Sequence, residues 1–358
     1  MSVPARIAVV GAGSMARRRA LAFLATGGAR VCGIASRRLE SARALGDEVG
    51  CGACFDDYRR LADTAPDAVL VEVPNAVQDE VTAWALSQGL HVLVGSFLAC
   101  SVRAAAAVCR LARARGVVVE AGFEARYKAA WETTRRLVAG GEVGRVAAVR
   151  TVALWDAAPE SWYASQRLSG GMPLAHMTYA FVNPLRWIFG DPTHVSAFAS
   201  RKKSTRPGAV AEETCVANLL FPGGVPCAMT AGFVKPFDDP ADEKGWSVWI
   251  VGTTGAIELY PSEMGNGRLR VHRGSAVETL DFAGARDAFE AQAGAFLASL
   301  GGADLCRNPP AETIGDVRVA EAIVRSARTL RTVALRSHRS RPAAAAAPPS
   351  TPRERTRT

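Results

Sequence analysis

The chain has 358 residues, 49% of them apolar and 22% charged, with a formal net charge of +9. That length admits two domains with a full core each, and no apolar run approaches a membrane span. The positive charge does not mark a nucleic-acid binder: 38 of the 43 basic residues are arginine, and residues 331–358 alone hold seven arginines against one glutamate. Residues 336–358, rich in Ala, Pro and Arg, read as a disordered basic tail, so neither a specific nucleic acid nor a membrane is expected as partner. No leader pattern precedes the first strand, and a cytoplasmic location is expected. The eight cysteines show no metal-ligand spacing; Cys51-Gly-Ala-Cys54 has no second pair, and no metal is expected.

From Arg6 the chain reads Arg6-Ile-Ala-Val-Val-Gly11-Ala-Gly13-Ser14-Met15-Ala16, then an alanine-rich helical stretch, then a second apolar run ending at Ala35. Strand, glycine turn, helix and strand make a βαβ unit with dinucleotide-binding spacing. Gly11 permits the sharp turn, Gly13 lets a pyrophosphate approach the backbone, and Ala16 lets the helix pack closely. Ser14, Met15 and Ala16 open that helix, whose free N–H groups suit phosphate. At the end of the second strand an acidic residue would bind the ribose 2′-hydroxyl of NAD. Ser36-Arg37-Arg38 stands there instead, which suits the 2′-phosphate of NADPH over NADH.

Further along, a helix is expected to Val49, a short strand at 53–55 and a small helix at 57–61. Strand 68–72 ends at Val73-Pro74-Asn75, and helix 76–88 follows. Strand 91–94, a helix capped by Ser101 and strand 117–120 complete an alternating pattern, the mark of a doubly wound parallel sheet. Past Phe123 the pattern changes. Helix 127–139 precedes a strand at 146–155, and Met172 to Phe189 reads as a helix kinked at Pro184. Strands at 194–200, 213–220, 226–231, 247–251, 256–260 and 268–272 form an open, mostly antiparallel sheet, closed by helices at 285–300 and 312–330. The fold class is α/β: an N-terminal Rossmann sheet over 1–122, an α+β domain over 123–335, and the tail.

Gly11-Ala-Gly13, Pro74-Asn75, His91-Val-Leu, Gly122-Phe-Glu-Ala-Arg126-Tyr127, Gly144-Arg145-Val146, Gly170-Gly171, Leu185-Arg186-Trp187-Ile-Phe-Gly190, Gly252-Thr-Thr-Gly255 and Ser326-Ala-Arg together resemble the glucose–fructose oxidoreductase / inositol dehydrogenase / MocA family. The resemblance spans about 6–335. It implies nicotinamide-dependent oxidation or reduction of sugars, cyclic polyols and similar small molecules, and it places Pro74, Asn75, Gln78 and Arg126 on the cofactor side. A homo-oligomer joined through the open sheet of the second domain is expected as well.

The family's catalytic positions are not kept. Its Glu-Lys-Pro is Gly95-Ser96-Phe97 here, and its helical Asp, His and Asp fall on His176, Ala180 and Asn183. Positions 176, 179, 180 and 183 share one helical face. His176 is therefore the expected acid or base, Tyr179 a second proton donor, and Ser96 a hydrogen-bonding partner for a carboxamide or substrate oxygen. Lys128 could supply the lost ammonium but reads as a surface helix lysine. His91 reads as strand core, and His194 and His272 have no visible partner. Trp155, Trp162, Tyr163 and Trp246 suit a ring-bearing ligand or a core equally. Two other functions stay open on this fold: a non-redox lyase or isomerase, and a catalytically silent dinucleotide-binding regulator.

Overall fold

The computed structural model describes residues 3–154, 161–169, 181–201, 212–234, 245–262 and 265–335. The expected kink at Pro184 sits at the edge of that range: Pro184 lies in the first turn of a short helix, Asn183–Phe189, and residues 172–180 lie outside the described residues, as does the tail.

Six strands form the first sheet: Ala5–Val10 (β1), Ala29–Ala35 (β2), Cys54–Phe55 (β3), Ala68–Val71 (β4), His91–Val94 (β5) and Val119–Ala121 (β6). They run parallel in the order β3-β2-β1-β4-β5-β6, so the chain reverses its winding direction beside β1. Alternation along β1 explains why both faces are covered. Ile7 and Val9 pack with Ala16, Ala20 and Phe23 of helix α1 (Ser14–Ala25), while Ala8 and Val10 pack with Val81 and Leu86 of α3 (Asn75–Ser87). The remaining crossovers are α2 (Leu39–Val49), the 3-10 helix Tyr58–Thr64 between β3 and β4, and α4 (Val102–Arg115), the last capped by the Ser101 hydroxyl at 3.2 Å from the Ala104 N–H.

The second sheet has nine strands: Val146–Leu154 (β7), His194–Arg201 (β8), Glu212–Phe221 (β9), Val225–Gly232 (β10), Trp246–Gly252 (β11), Gly255–Tyr260 (β12), Arg268–Arg273 (β13), Ala276–Asp281 (β14) and Val333–Ala334 (β15). Its order is β14-β13-β12-β11-β7-β10-β9-β8-β15. Only β7 and β10 pair in parallel; the other described pairs are antiparallel. The edge strand β14 has no counterpart in the sequence expectation, because nearly all of its residues are exposed and no buried alternation marks it.

Between the sheets, Glu124–Tyr127 forms a single 3-10 turn, followed by α5 (Ala129–Ala139). The last two helices return to the first sheet. Helix α6 (Ala288–Leu300) lays Phe296 edge-on against Phe23, ring centroids 6.0 Å apart. Helix α7 (Pro310–Thr329) joins both halves: Glu321 accepts from the Val102 N–H at 2.8 Å, and the Ser326 hydroxyl accepts from the Ala197 N–H of β8 at 2.9 Å. No described helix is long and apolar enough to cross a membrane.

Candidate active site

A cavity of about 750 Å³ opens at the carboxyl ends of the first sheet's strands and reaches the second sheet. Gly11 leaves β1 with φ +112°, a left-handed value that other residues avoid, and a Cβ there would overlap the Glu72 carbonyl oxygen. Gly13 is the N-cap of α1 and offers no side-chain cap. Among the described residues, its chain neighbours aside, a Cβ on Gly13 would meet no atom within 4 Å, so its bare backbone faces open space. The first-turn N–H groups of α1 have no helical acceptors, and no acidic side chain stands in that turn. This cradle fits a pyrophosphate. Gly11, Gly13, Ser14, Met15, Ala16, Ser36, Arg37, Arg38, Pro74, Asn75, Gln78 and Ser96 all line the one cavity.

At its outer end, the Ser36 N–H bonds the Phe55 carbonyl at 3.0 Å, which ties the end of β2 to β3. Arg37 and Arg38 are exposed, and neither side chain has an ion-pair or hydrogen-bond partner among the described residues. Asp56 and Tyr58 share that wall. The Tyr58 hydroxyl donates to Glu80 at 2.8 Å; burial and that carboxylate push its pKa up to about 12.

At its inner end, Asn75 is buried and donates through Nδ2 to the Ser169 carbonyl at 2.9 Å. Its Oδ1 is buried with no donor among the described residues, which leaves an acceptor suited to an amide such as a carboxamide N–H₂. Gln78 donates to the Phe97 carbonyl at 2.6 Å. The stacked pair Trp162 and Tyr163, centroids 4.1 Å apart, lines this end with Trp131 and Trp246. Of the four candidate aromatics, Trp155 lies outside the described residues.

Lys128 is not a surface residue. It is 4% exposed and lines the cavity, its ammonium 3.3 Å from Glu124 and donating to the Ser262 carbonyl at 2.7 Å. Beside it lies Arg19, 2% exposed, with Nε 2.6 Å from Glu72 and a second nitrogen 3.5 Å from Glu124. Burial pushes the Glu72 carboxyl above its ordinary range, and the Arg19 guanidinium pulls it back. Sequence reasoning missed Arg19, Glu72 and Glu124. A signal existed for Arg19, which falls on the same helical stripe as Ala16, Ala20 and Phe23; a guanidinium on a buried stripe demands a carboxylate.

Arg126 is not among the residues that line the cavity. Its guanidinium is buried on Asn183 Oδ1 at 3.0 Å, the Arg307 carbonyl at 2.8 Å and Glu312 at 2.6 Å. Asn183, expected on the catalytic helix face, donates to Asp316 at 2.8 Å and to Asn308 at 3.2 Å. His176, Tyr179 and Ala180 lie outside the described residues. His91 accepts from the Val118 N–H at 2.8 Å as part of the strand packing. His272 does have a partner: its Nε2 lies 2.6 Å from Glu258. Among the described residues no cluster could hold a metal ion.

Residues 5–123 match the family model of an oxidoreductase family with an NAD-binding Rossmann fold, and residues 131–258 match the C-terminal domain model of the same GFO/IDH/MocA family. The chain belongs to the Gfo/Idh/MocA oxidoreductase family. A 1,5-anhydro-D-fructose reductase of Ensifer adhaerens is 27% identical over 256 residues, 70% of this chain and 74% of the relative. A dTDP-3,4-didehydro-2,6-dideoxy-alpha-D-glucose 3-reductase of Streptomyces antibioticus is 25% identical over 281 residues, 77% and 83% of the two chains. Among solved structures, an aldose-aldose oxidoreductase of Caulobacter crescentus complexed with glycerol superposes with a TM-score of 0.82 at 25% identity, covering 93% of this chain and all of that one. Membership in this family gives the glycine cradle its ligand, a nicotinamide dinucleotide, as its N-terminal family model describes.

Proposed function

We propose that this Gfo/Idh/MocA protein is an NADPH-dependent oxidoreductase that moves a hydride to or from a small carbonyl, imine or hydroxyl substrate of sugar-like type. In this reading residues 1–122 hold the dinucleotide and residues 123–335 the substrate. The observation that carries it is the outer wall of the cavity. Two exposed guanidiniums and the Ser36 hydroxyl line the space that continues from the pyrophosphate cradle, and neither arginine is spent on a carboxylate among the described residues. Asp56 on that wall would favour a ribose hydroxyl, but Arg37 and Arg38 outnumber it. The three relatives named above carry sugar-oxidoreductase names, which supports the substrate class. A homo-oligomer packed through the outer face of the second sheet belongs to the same reading; Phe198 and Val216 stand exposed there as cross-strand partners.

The bound cofactor supplies the hydride chemistry, and the protein must orient it and move one proton. The α1 N–H groups and Gly13 would hold the pyrophosphate, and Asn75 Oδ1 would accept from the carboxamide. Titration of NADPH and NADH against wild type and Arg37→Ala tests the preference. Loss of one charged contact costs about 1.5–3 kcal/mol, roughly 10- to 150-fold in NADPH affinity, and NADH binding should stay unchanged. Equal wild-type affinities, or an indifferent variant, would contradict it.

A further inference from the structure

Two neighbouring positions at the carboxyl edge of the first sheet compete for one volume. A Cβ on Gly95, at the end of β5, would overlap the Glu72 carboxylate. The absence of a side chain at Gly95 is therefore what admits Glu72 to the sheet's carboxyl edge. There Glu72 holds Arg19, Arg19 reaches Glu124, and the other oxygen of Glu124 holds Lys128. The four charges alternate in sign along a largely buried line, and Glu72, Glu124 and Lys128 all line the cavity. Arg19 is fixed further by Gln292 at 2.6 Å and the Gly122 carbonyl at 2.5 Å, and the Gly122 N–H bonds the Ser96 carbonyl at 2.9 Å. The line thus ties Ser96, where the resemblance expects an ammonium and finds a hydroxyl, to Lys128, where an ammonium stands.

Burying a lysine costs several kcal/mol unless partners compensate it. A chain that needed only a packed core would place an apolar residue at 128. Here the ammonium is kept, compensated, and set on the cavity wall among Trp131, Trp162 and Trp246.

We propose that Lys128 is the catalytic group that gives or takes the proton when the hydride moves, and that Glu124, Arg19 and Glu72 are its positioning residues; this rests on the NADPH oxidoreductase reading above. In the reducing direction the substrate carbon gains a hydride, and the C=O π pair moves onto oxygen. The Lys128 ammonium would give that oxygen its proton and become a neutral amine, to which solvent water would return a proton; the hydride is what bound NADPH, ending as NADP⁺, would supply. In the oxidising direction the amine takes the hydroxyl proton as the hydride departs.

The test uses the full chain, with NADPH and 1,5-anhydro-D-fructose as probes. Lys128→Arg keeps a cation beside Glu124 but cannot release its proton at working pH. Turnover should fall about 10²- to 10⁴-fold while NADPH affinity stays at the wild-type level. Lys128→Ala should regain part of its rate with added methylamine, which a structural role would not produce. An arginine variant that turns over like wild type overturns the proposal. A second arm needs no turnover. Reductive alkylation with glyceraldehyde and cyanoborohydride, mapped by mass spectrometry, should be slowed at Lys128 by saturating NADPH. If wild type does not reduce the sugar, this arm decides the matter, and Lys128 labelling indifferent to bound NADPH overturns the assignment. If wild type fails to bind NADPH in the direct titration, the cofactor reading falls first and this inference falls with it.

Discussion

The two ends of the cavity handle charge in opposite ways. At the outer end Arg37 and Arg38 stand in solvent, without partners among the described residues. At the inner end Arg19 and Lys128 are buried and matched to Glu72 and Glu124. An exposed, unspent guanidinium loses little by waiting for an anion that the ligand brings. A buried ammonium must be compensated before any ligand arrives, so its geometry is set in advance. In the proposed reading one end recognises charge, and the other holds a proton in place.

Gly11→Ala should have the largest effect and break the end that recognises charge. The new Cβ combines left-handed strain with overlap on the Glu72 carbonyl. Each costs on the order of 1–3 kcal/mol, and dinucleotide binding should be lost. A variant that melts and binds NADPH like wild type would show that the turn has room to spare. Gly95→Ala breaks the inner end more gently, by on the order of 1–3 kcal/mol, because the new methyl displaces the Glu72 carboxylate. Adding Glu72→Ala removes that overlap, so the double variant should melt above Gly95→Ala alone, although Arg19 then lacks one carboxylate. Strictly additive losses in a double-mutant cycle would mean that the two positions do not share space.

A smaller effect sharpens the contrast through pH. Glu120 is fully buried beneath the inner end and accepts from the Tyr127 hydroxyl at 2.6 Å. Burial pushes its carboxyl above the ordinary value of 4.5. Its contribution to stability is full below that ordinary value and is lost as pH rises through the raised folded value. Glu120→Gln should remove this decline, read from melting temperature against pH. Parallel pH curves for variant and wild type would show that the carboxyl titrates normally.

The first sheet and the place of Ser36, Arg37 and Arg38 on the cavity wall are legible in the sequence because their signals are local. A strand, a glycine turn and Ser36-Arg37-Arg38 lie within one short stretch, and each residue acts through its own backbone position. The inner end is assembled from residues 19, 72, 95, 124 and 128, and no local pattern joins them. Lys128 departs from the expected surface helix for a specific reason. The expected helix from Tyr127 would have carried it on a solvent face, but the chain makes a 3-10 turn over Glu124–Tyr127 and leaves Lys128 extended, φ −74° and ψ 129°, ahead of α5. That break turns the side chain inward. The family resemblance and helical spacing put Asn183 on the catalytic face, whereas its amide serves Asp316 and Arg126.

The most direct test of the division between the two ends is a crossed measurement of NADPH affinity and turnover rate in Arg37→Ala and Lys128→Arg. The account predicts that the first variant loses NADPH affinity relative to NADH and keeps its rate at saturation. The second should keep the affinity and lose the rate. If both variants lose the same quantity, or Arg37→Ala binds the two cofactors as wild type does, the division of labour is contradicted.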